Sequence, residues 1–140
     1  MLKRSFVLLT ILFLAAGLAW ADAAGNYNFI PAQALQKRIQ ENSPPIIIDI
    51  CPAEQFAQGH IDGSIETNAY PVKTEAQKAR LAACLPKIKT SADQVVIVCP
   101  RGAGGAKRTF DFYRANGVEI SRLLILEKGM NGWPYKTVKK

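Results

Sequence analysis

The chain has 140 residues, with 18 Lys and Arg against 11 Asp and Glu, a net charge of +7, and 49% apolar residues. That is the size and balance of one globular domain with one core, and the basic residues form neither the dense run nor the aromatic-interleaved face that nucleic-acid binding requires. Three cysteines, no Cys-x-x-Cys and a single histidine argue against a zinc site or a disulfide scaffold.

Residues 1–21 read as an export signal. Lys3 and Arg4 precede an apolar stretch at 6–20, and Ala19-Trp20-Ala21 offers the small residues that a signal peptidase accepts. The stretch is shorter than the ~20 residues a spanning helix needs. The expectation is cleavage after Ala21 (Ala23 is the alternative), export to a bacterial periplasm, and no stable membrane association afterwards. The 119 residues that remain would hold 16 basic and 11 acidic side chains, or +5. Residues 22–135 read as one domain, and 136–140, with Lys136, Lys139 and Lys140, as a basic C-terminal tail.

Asn28-Phe29-Ile30 is a short strand. Pro31 suits the start of a helix to about Glu41, with Leu35 and Ile39 four apart on one face. Ser43-Pro44-Pro45 closes it. Ile46-Ile47-Ile48, running into Asp49, Ile50 and Cys51, is too apolar for a strand with one wet face. Pro52 opens a helical turn that Gly59 ends, and a brief strand follows at 64–66. Residues 74–85 read as a helix that Pro86 stops, and 90–94 as a polar turn.

Val95-Val96-Ile97-Val98 is the second wholly apolar strand, and it leads into Cys99, then Gly102, Gly104 and Gly105, then a helix from about Gly105 to Asn116. Ala106, Phe110 and Tyr113 share that helix's inner face. Glycines let the backbone bend and aim its N–H groups inward, and the helix start adds its own unpaired amides. A cysteine thiolate at the mouth of such a nest is stabilised as an anion, which makes Cys99 the expected nucleophile. Arg101, Lys107 and Arg108 add positive charge around it. After Asn116-Gly117 come a last strand at 123–126 and a turn with a short helical finish at 129–133. Strands alternating with helices, the two longest apolar throughout, predict an α/β domain with a mainly parallel sheet and helices on both faces. Sites in such sheets form at the carboxyl ends of strands, where both Asp49-Ile50-Cys51 and Cys99 lie.

Four ordered blocks resemble the rhodanese-like sulfurtransferases. They are Ile48-Asp49-Ile50 with Glu54-Gln55-Phe56 and Gly59-His60-Ile61-Asp62-Gly63-Ser64; the Val95 strand with Cys99-Pro100-Arg101-Gly102; Gly117; and Leu126-Glu127-Lys128-Gly129 to Trp133. The resemblance covers about residues 27–134. It implies a five-stranded, mainly parallel rhodanese-like sheet flanked by helices on both faces. It also implies that Cys99 takes a sulfane sulfur from a small sulfur-containing anion such as thiosulfate, holds it as a persulfide, and passes it to cyanide, a thiol or a protein acceptor. No metal or organic cofactor is implied. The substrate loop would be Pro100, Arg101, Gly102, Ala103, Gly104, Gly105, Ala106 and Lys107, with loop amides from about Pro100 to Ala106 donating to the bound anion.

The chain departs from the family pattern in three places. The arginine usual after Asp-Val is Cys51, which with Asp49 is an auxiliary candidate: a resolving thiol or sulfur acceptor for Cys99, against the blander alternative of a small residue filling the arginine's space. Gly104 and Gly105 replace the loop's usual Arg and Ser. The span from Cys99 to Gly117 is one residue longer than usual, with the extra residue expected in the loop. Related phosphatases have a wider loop too, but need an arginine six positions after the cysteine, which is Gly105 here, so that reading lacks its bidentate anion clamp. His60 and Glu54 are read as local structural groups, Cys84 as a small core residue, and Trp133 and Phe56 as packing anchors. The competing functions are a non-catalytic rhodanese-like binding module and a thiol–disulfide redox protein using Cys51 and Cys99.

Overall fold

A computed structural model describes residues 25–140; the expected signal at 1–21 lies outside the described residues. Five short strands form one sheet: β1 (Phe29–Ile30), β2 (Ile46–Asp49), β3 (Ile65–Glu66), β4 (Val95–Val98) and β5 (Leu123–Leu126). Their spatial order is β1-β5-β4-β2-β3, and every pairing is parallel. The helices are α1 (Ala32–Gln40), α2 (Ala53–Gln58), α3 (Glu75–Ala82), α4 (Leu85–Lys89) and α5 (Gly104–Ala115).

Both apolar strands, β2 and β4, are buried at every residue, as strands must be when helices cover both faces of the sheet. Successive side chains alternate between the two faces. Ile46, Ile48, Val95, Ile97, Leu123 and Ile125 pack against Leu81, Ile88, Phe110 and Tyr113 of α3, α4 and α5. Ile47, Val96, Val98 and Leu126 pack against Leu35 of α1, Ile61 and Trp133 on the other face. Among the described residues no helix is long and apolar enough to cross a membrane.

One expected boundary differs. Pro86 does not stop a helix; it sits in the first turn of α4, after α3 has already ended at Ala82. Proline is as well suited to the first turn of a helix as it is to the residue after one, because its missing N–H is among those no helical carbonyl would accept. A capping box at Thr74 and Gln77 starts α3. Residues 136–140 are tied to the body: Val138 pairs with His60 in an antiparallel bridge, and the Lys140 N–H donates to the Ala57 carbonyl.

The strand order places the site. The chain leaves β2 toward β3 at one side of the sheet and leaves β4 toward β5 at the other. The loops after these neighbours therefore diverge, opening a crevice at their carboxyl ends. Cys51 follows β2 and Cys99 follows β4, with Asp49 paired in register to Val98.

Candidate active site

Cys99 is 2% exposed. The Gly102 N–H donates to its Sγ at 3.0 Å. The loop that makes this bond is clamped from outside by the turn after β5. The Met130 N–H donates to the Cys99 carbonyl (2.8 Å) and the Asn131 N–H to the Pro100 carbonyl (3.0 Å). Two glycines make the clamp sterically feasible. Gly102 (φ +69°) lies so close to the turn that a Cβ would stand 2.7 Å from the Leu126 carbonyl oxygen, and a Cβ on Gly129 (φ +59°) would overlap the Cys99 carbonyl oxygen.

Helix α5 begins at Gly104 with Ala103 as its N-cap and no capping side chain. The Lys107 N–H is the first to reach back, to the Ala103 carbonyl at 3.1 Å. The amides of Gly104, Gly105 and Ala106 are left without helical partners at the positive end of the helix dipole. Pro100, counted above among the donating amides, has no N–H, so the donating nest starts beyond it.

These groups wall a cavity of about 210 Å³ lined by Tyr70, Pro71, Lys73, Cys99, Arg101, Ala103, Gly104, Gly105 and Arg108. Among the described residues three cations, Lys73, Arg101 and Arg108, line it and no carboxylate does. Of the loop residues expected at the site, Cys99, Arg101, Ala103, Gly104 and Gly105 line the cavity. Pro100 and Gly102 shape the loop behind it, and Ala106 is wholly buried in the core. Lys107 turns away, its Nζ 5.4 Å from the centre of the Tyr27 ring. The helical charge beside the cavity is Arg108, whose Nε donates to the Pro71 carbonyl at 2.8 Å. A larger hollow of about 430 Å³, lined by Ile46, Asp62 and Asp93 among others, sits at the amino ends of the strands and holds no nucleophile.

Tyr70, Pro71 and Lys73 were not singled out by sequence. They lie between β3 and α3, and the signal available was only that this segment, too, follows the carboxyl end of a strand. It is held by α3 and α5 side chains: Gln77 Nε2 donates to the Tyr70 carbonyl, Arg80 to that of Asn68, and Arg108 to that of Pro71. Val72 is buried here at φ +63°, a conformation that costs a β-branched residue on the order of 1–3 kcal/mol. The Tyr70 ring packs onto Gly105, where a Cβ would stand 2.9 Å from it and 3.3 Å from Ile50. A side chain at the place six after the cysteine would therefore require the Tyr70 ring to shift.

Asp49 and Cys51 are buried behind the site and do not line the cavity. Asp49 Oδ1 accepts the Cys51 N–H at 2.8 Å, and its own carbonyl accepts the Thr67 hydroxyl at 2.9 Å. Oδ2 is buried with no partner among the described residues. Burial pushes the Asp49 carboxyl up, only partly offset by the Cys51 N–H. Burial likewise drives the Cys51 thiol far upward, and the Asp49 charge adds to it. A thiol so held is a poor nucleophile. Cys51, Cys84 and Cys99 are all free. The His60 ring stacks on Phe56 at 3.7 Å, with Nδ1 donating to the Phe56 carbonyl at 2.8 Å. It does not line the cavity.

The Asp49 shift has a testable sign. A carboxyl whose folded pKa is raised favours the folded state at low pH, and that advantage is lost as pH rises through the folded value. Asp49→Asn should therefore stabilise the protein more, relative to the natural chain, at pH 7 than at pH 4, as read from paired thermal melts. An equal difference at the two pH values would contradict the buried charge.

The family model described as rhodanese-like domain matches residues 31–135. No curated protein matches the chain. Among solved structures, a rhodanese-like domain protein from Staphylococcus aureus is 22% identical with a TM-score of 0.57, covering 81% of this chain and 98% of that one. A thiosulfate sulfurtransferase from Pseudomonas aeruginosa is 16% identical with a TM-score of 0.61, over 81% of this chain but only 19% of that one. A yeast protein tyrosine phosphatase of the rhodanese family is 16% identical with a TM-score of 0.57, over 78% and 85% of the two chains. At these identities the likeness is one of fold.

Proposed function

The chain belongs to the rhodanese-like family, and from that premise we propose that it is a sulfurtransferase working through a Cys99 persulfide. The observation that carries this reading is Cys99 Sγ, already held by the Gly102 N–H, in a small cavity walled by Lys73, Arg101 and Arg108. A thiosulfate dianion is drawn in by the three cations. The Cys99 thiolate attacks the outer sulfur, the S–S bond of thiosulfate breaks, and sulfite leaves with the electron pair. The persulfide anion that forms sits against preorganised amide donors at the start of α5. A nucleophile such as cyanide or a thiol then takes the outer sulfur and restores the Cys99 thiolate.

The test is transfer from thiosulfate to cyanide, together with intact mass after incubation with donor alone. Turnover and the mass of one added sulfur atom are expected; neither, with several donors, would overturn the reading and leave the binding module. Phosphatase activity is not expected, because the place six after the cysteine is Gly105, which carries no guanidinium to clamp a phosphate. A redox role for Cys51 is disfavoured by its burial. Cys51→Ala should keep sulfur transfer within about threefold, as expected for a volume change at a site that touches no substrate. A Cys51–Cys99 disulfide after mild oxidation, seen by mass with and without alkylation, would revive that role. The signal-like residues 1–21 support export to a periplasm, which N-terminal sequencing of the mature protein checks.

A further inference from the structure

The three cations that line the Cys99 cavity are not equivalent. Lys73 and Arg101 are exposed, and among the described residues neither side chain is held by a hydrogen bond or an ion pair. An exposed, untethered charge attracts an anion through screening solvent and gives up rotamer freedom to hold it. Arg108 is half-buried, and its Nε donates to the Pro71 carbonyl at 2.8 Å, which tethers the guanidinium.

Where the other two guanidinium nitrogens lie follows from Gly104. A Cβ there would stand 3.1 Å from Arg108 Nη1 and 3.4 Å from Nη2. The guanidinium therefore lies over the first residue of α5, in the space that a side chain at 104 would take. Among the described residues Nη1 and Nη2 have no hydrogen-bond or ion-pair partner. Cys99, Gly104 and Arg108 all line the same cavity. A planar fork with unspent N–H donors thus stands in the cavity of the sulfur, held through one nitrogen and free at two.

We propose that Arg108 is the specificity-determining residue of this site: it grips two oxygens of the donor and so selects donors that leave as sulfite or another sulfur oxyanion over donors that leave as a plain thiolate. The proposal rests on the sulfur-transfer reading and names what chooses its donor. As the Cys99 thiolate bonds to the outer sulfur, the donor's S–S bond breaks and its electron pair goes to the sulfite, whose oxygens gain negative charge under the fork. Two parallel charged hydrogen bonds match that group and strengthen as the charge grows. Gly104 is part of the device, because a side chain there meets the guanidinium.

The test follows Cys99 persulfide formation by intact mass with two donors: thiosulfate, and the persulfide of 2-mercaptoethanol, which leaves as a thiolate without an oxyanion. Arg108→Gln should lower the ratio of the thiosulfate rate constant to the other by about thirtyfold, the scale of losing charged hydrogen bonds to one group. Arg108→Lys keeps the charge without the fork and should lower the ratio by about tenfold. Gly104→Arg added to Arg108→Gln should restore the ratio to within about threefold of the natural chain, because the vacated space then receives a guanidinium from position 104, and such compensation is a coupling between the two sites. If Arg108 only ties down residues 67–73 through Pro71, Arg108→Gln slows both donors alike, the melting temperature falls, and Gly104→Arg restores neither. That result, or an Arg108→Lys ratio equal to that of the natural chain, overturns the donor-selecting fork and leaves sulfur transfer standing. Absence of a persulfide with both donors in the natural chain overturns both.

Discussion

Gly129→Ala is expected to destabilise the protein by at least about 3 kcal/mol, the range reached when a glycine-only backbone position is also packed against other backbone, and to abolish sulfur transfer. Gly129 has φ +59° and ψ −159°, a region that residues with a Cβ scarcely enter. The added methyl would overlap the Cys99 carbonyl oxygen and stand 2.6 Å from the Arg101 nitrogen and 2.7 Å from that of Gly102. None of these is a flexible side-chain end; all are backbone atoms of the Cys99 loop. To admit the methyl, the loop must give up the Met130-to-Cys99 hydrogen bond, and with it the position of the Gly102 N–H under the sulfur. At a few degrees per kcal/mol for a domain this size, the melting temperature should drop by roughly 10 °C or more. Gly63→Ala is the control. Gly63 has φ +80° but nothing within 4 Å of its added Cβ, so it carries only the left-handed backbone cost of about 1–2 kcal/mol. If Gly129→Ala is no worse than Gly63→Ala, the turn after β5 does not hold the loop.

Cys99→Ser is expected to lower thiosulfate-to-cyanide transfer by a factor of about 10³ or more, as loss of a covalent nucleophile does. A serine oxygen can accept the Gly102 N–H, so loop geometry and stability should survive, with the melting temperature close to that of the natural chain. It cannot carry a sulfane sulfur, so the added sulfur in the intact mass should vanish with the activity. Retained turnover would mean that another thiol does the chemistry. Cys51 is the first to examine, although it is fully buried and its thiol is held protonated by burial and by Asp49. The pair Cys99→Ser and Cys51→Ala thus separates a working nucleophile from a residue that fills space. Cys51 stands where the family has an arginine, and Asp49 Oδ2 is left buried without a partner among the described residues.

Much of the fold was legible because its signals are local. Two apolar runs too continuous for a half-wet strand, the Leu35 and Ile39 spacing, and the Ala106, Phe110 and Tyr113 face each report burial through a period that any tertiary partner must respect. Pro86 misled for an equally local reason, since proline ends one helix and begins another with the same lost N–H. Cys99 could be identified because a strand end, a glycine-rich bend and a helix start occupy consecutive residues.

The charge around Cys99 could not be assigned that way. Lys107 and Arg108 are neighbours in sequence, but one residue is about 100° around a helix, so one lies over Tyr27 and the other enters the cavity. Tyr70 and Lys73 arrive from the loop after β3, brought in by the strand order and fastened by Gln77, Arg80 and Arg108. By itself, then, the sequence determined the α/β layering, the position of Cys99 at a strand end and the glycine-rich bend that follows it, because each is written in adjacent residues. Only the tertiary structure decided which cations face the sulfur, that Tyr70 covers Gly105, and that Asp49 and Cys51 are sealed behind the site. Those depend on distances between segments far apart in the chain, which no local pattern encodes.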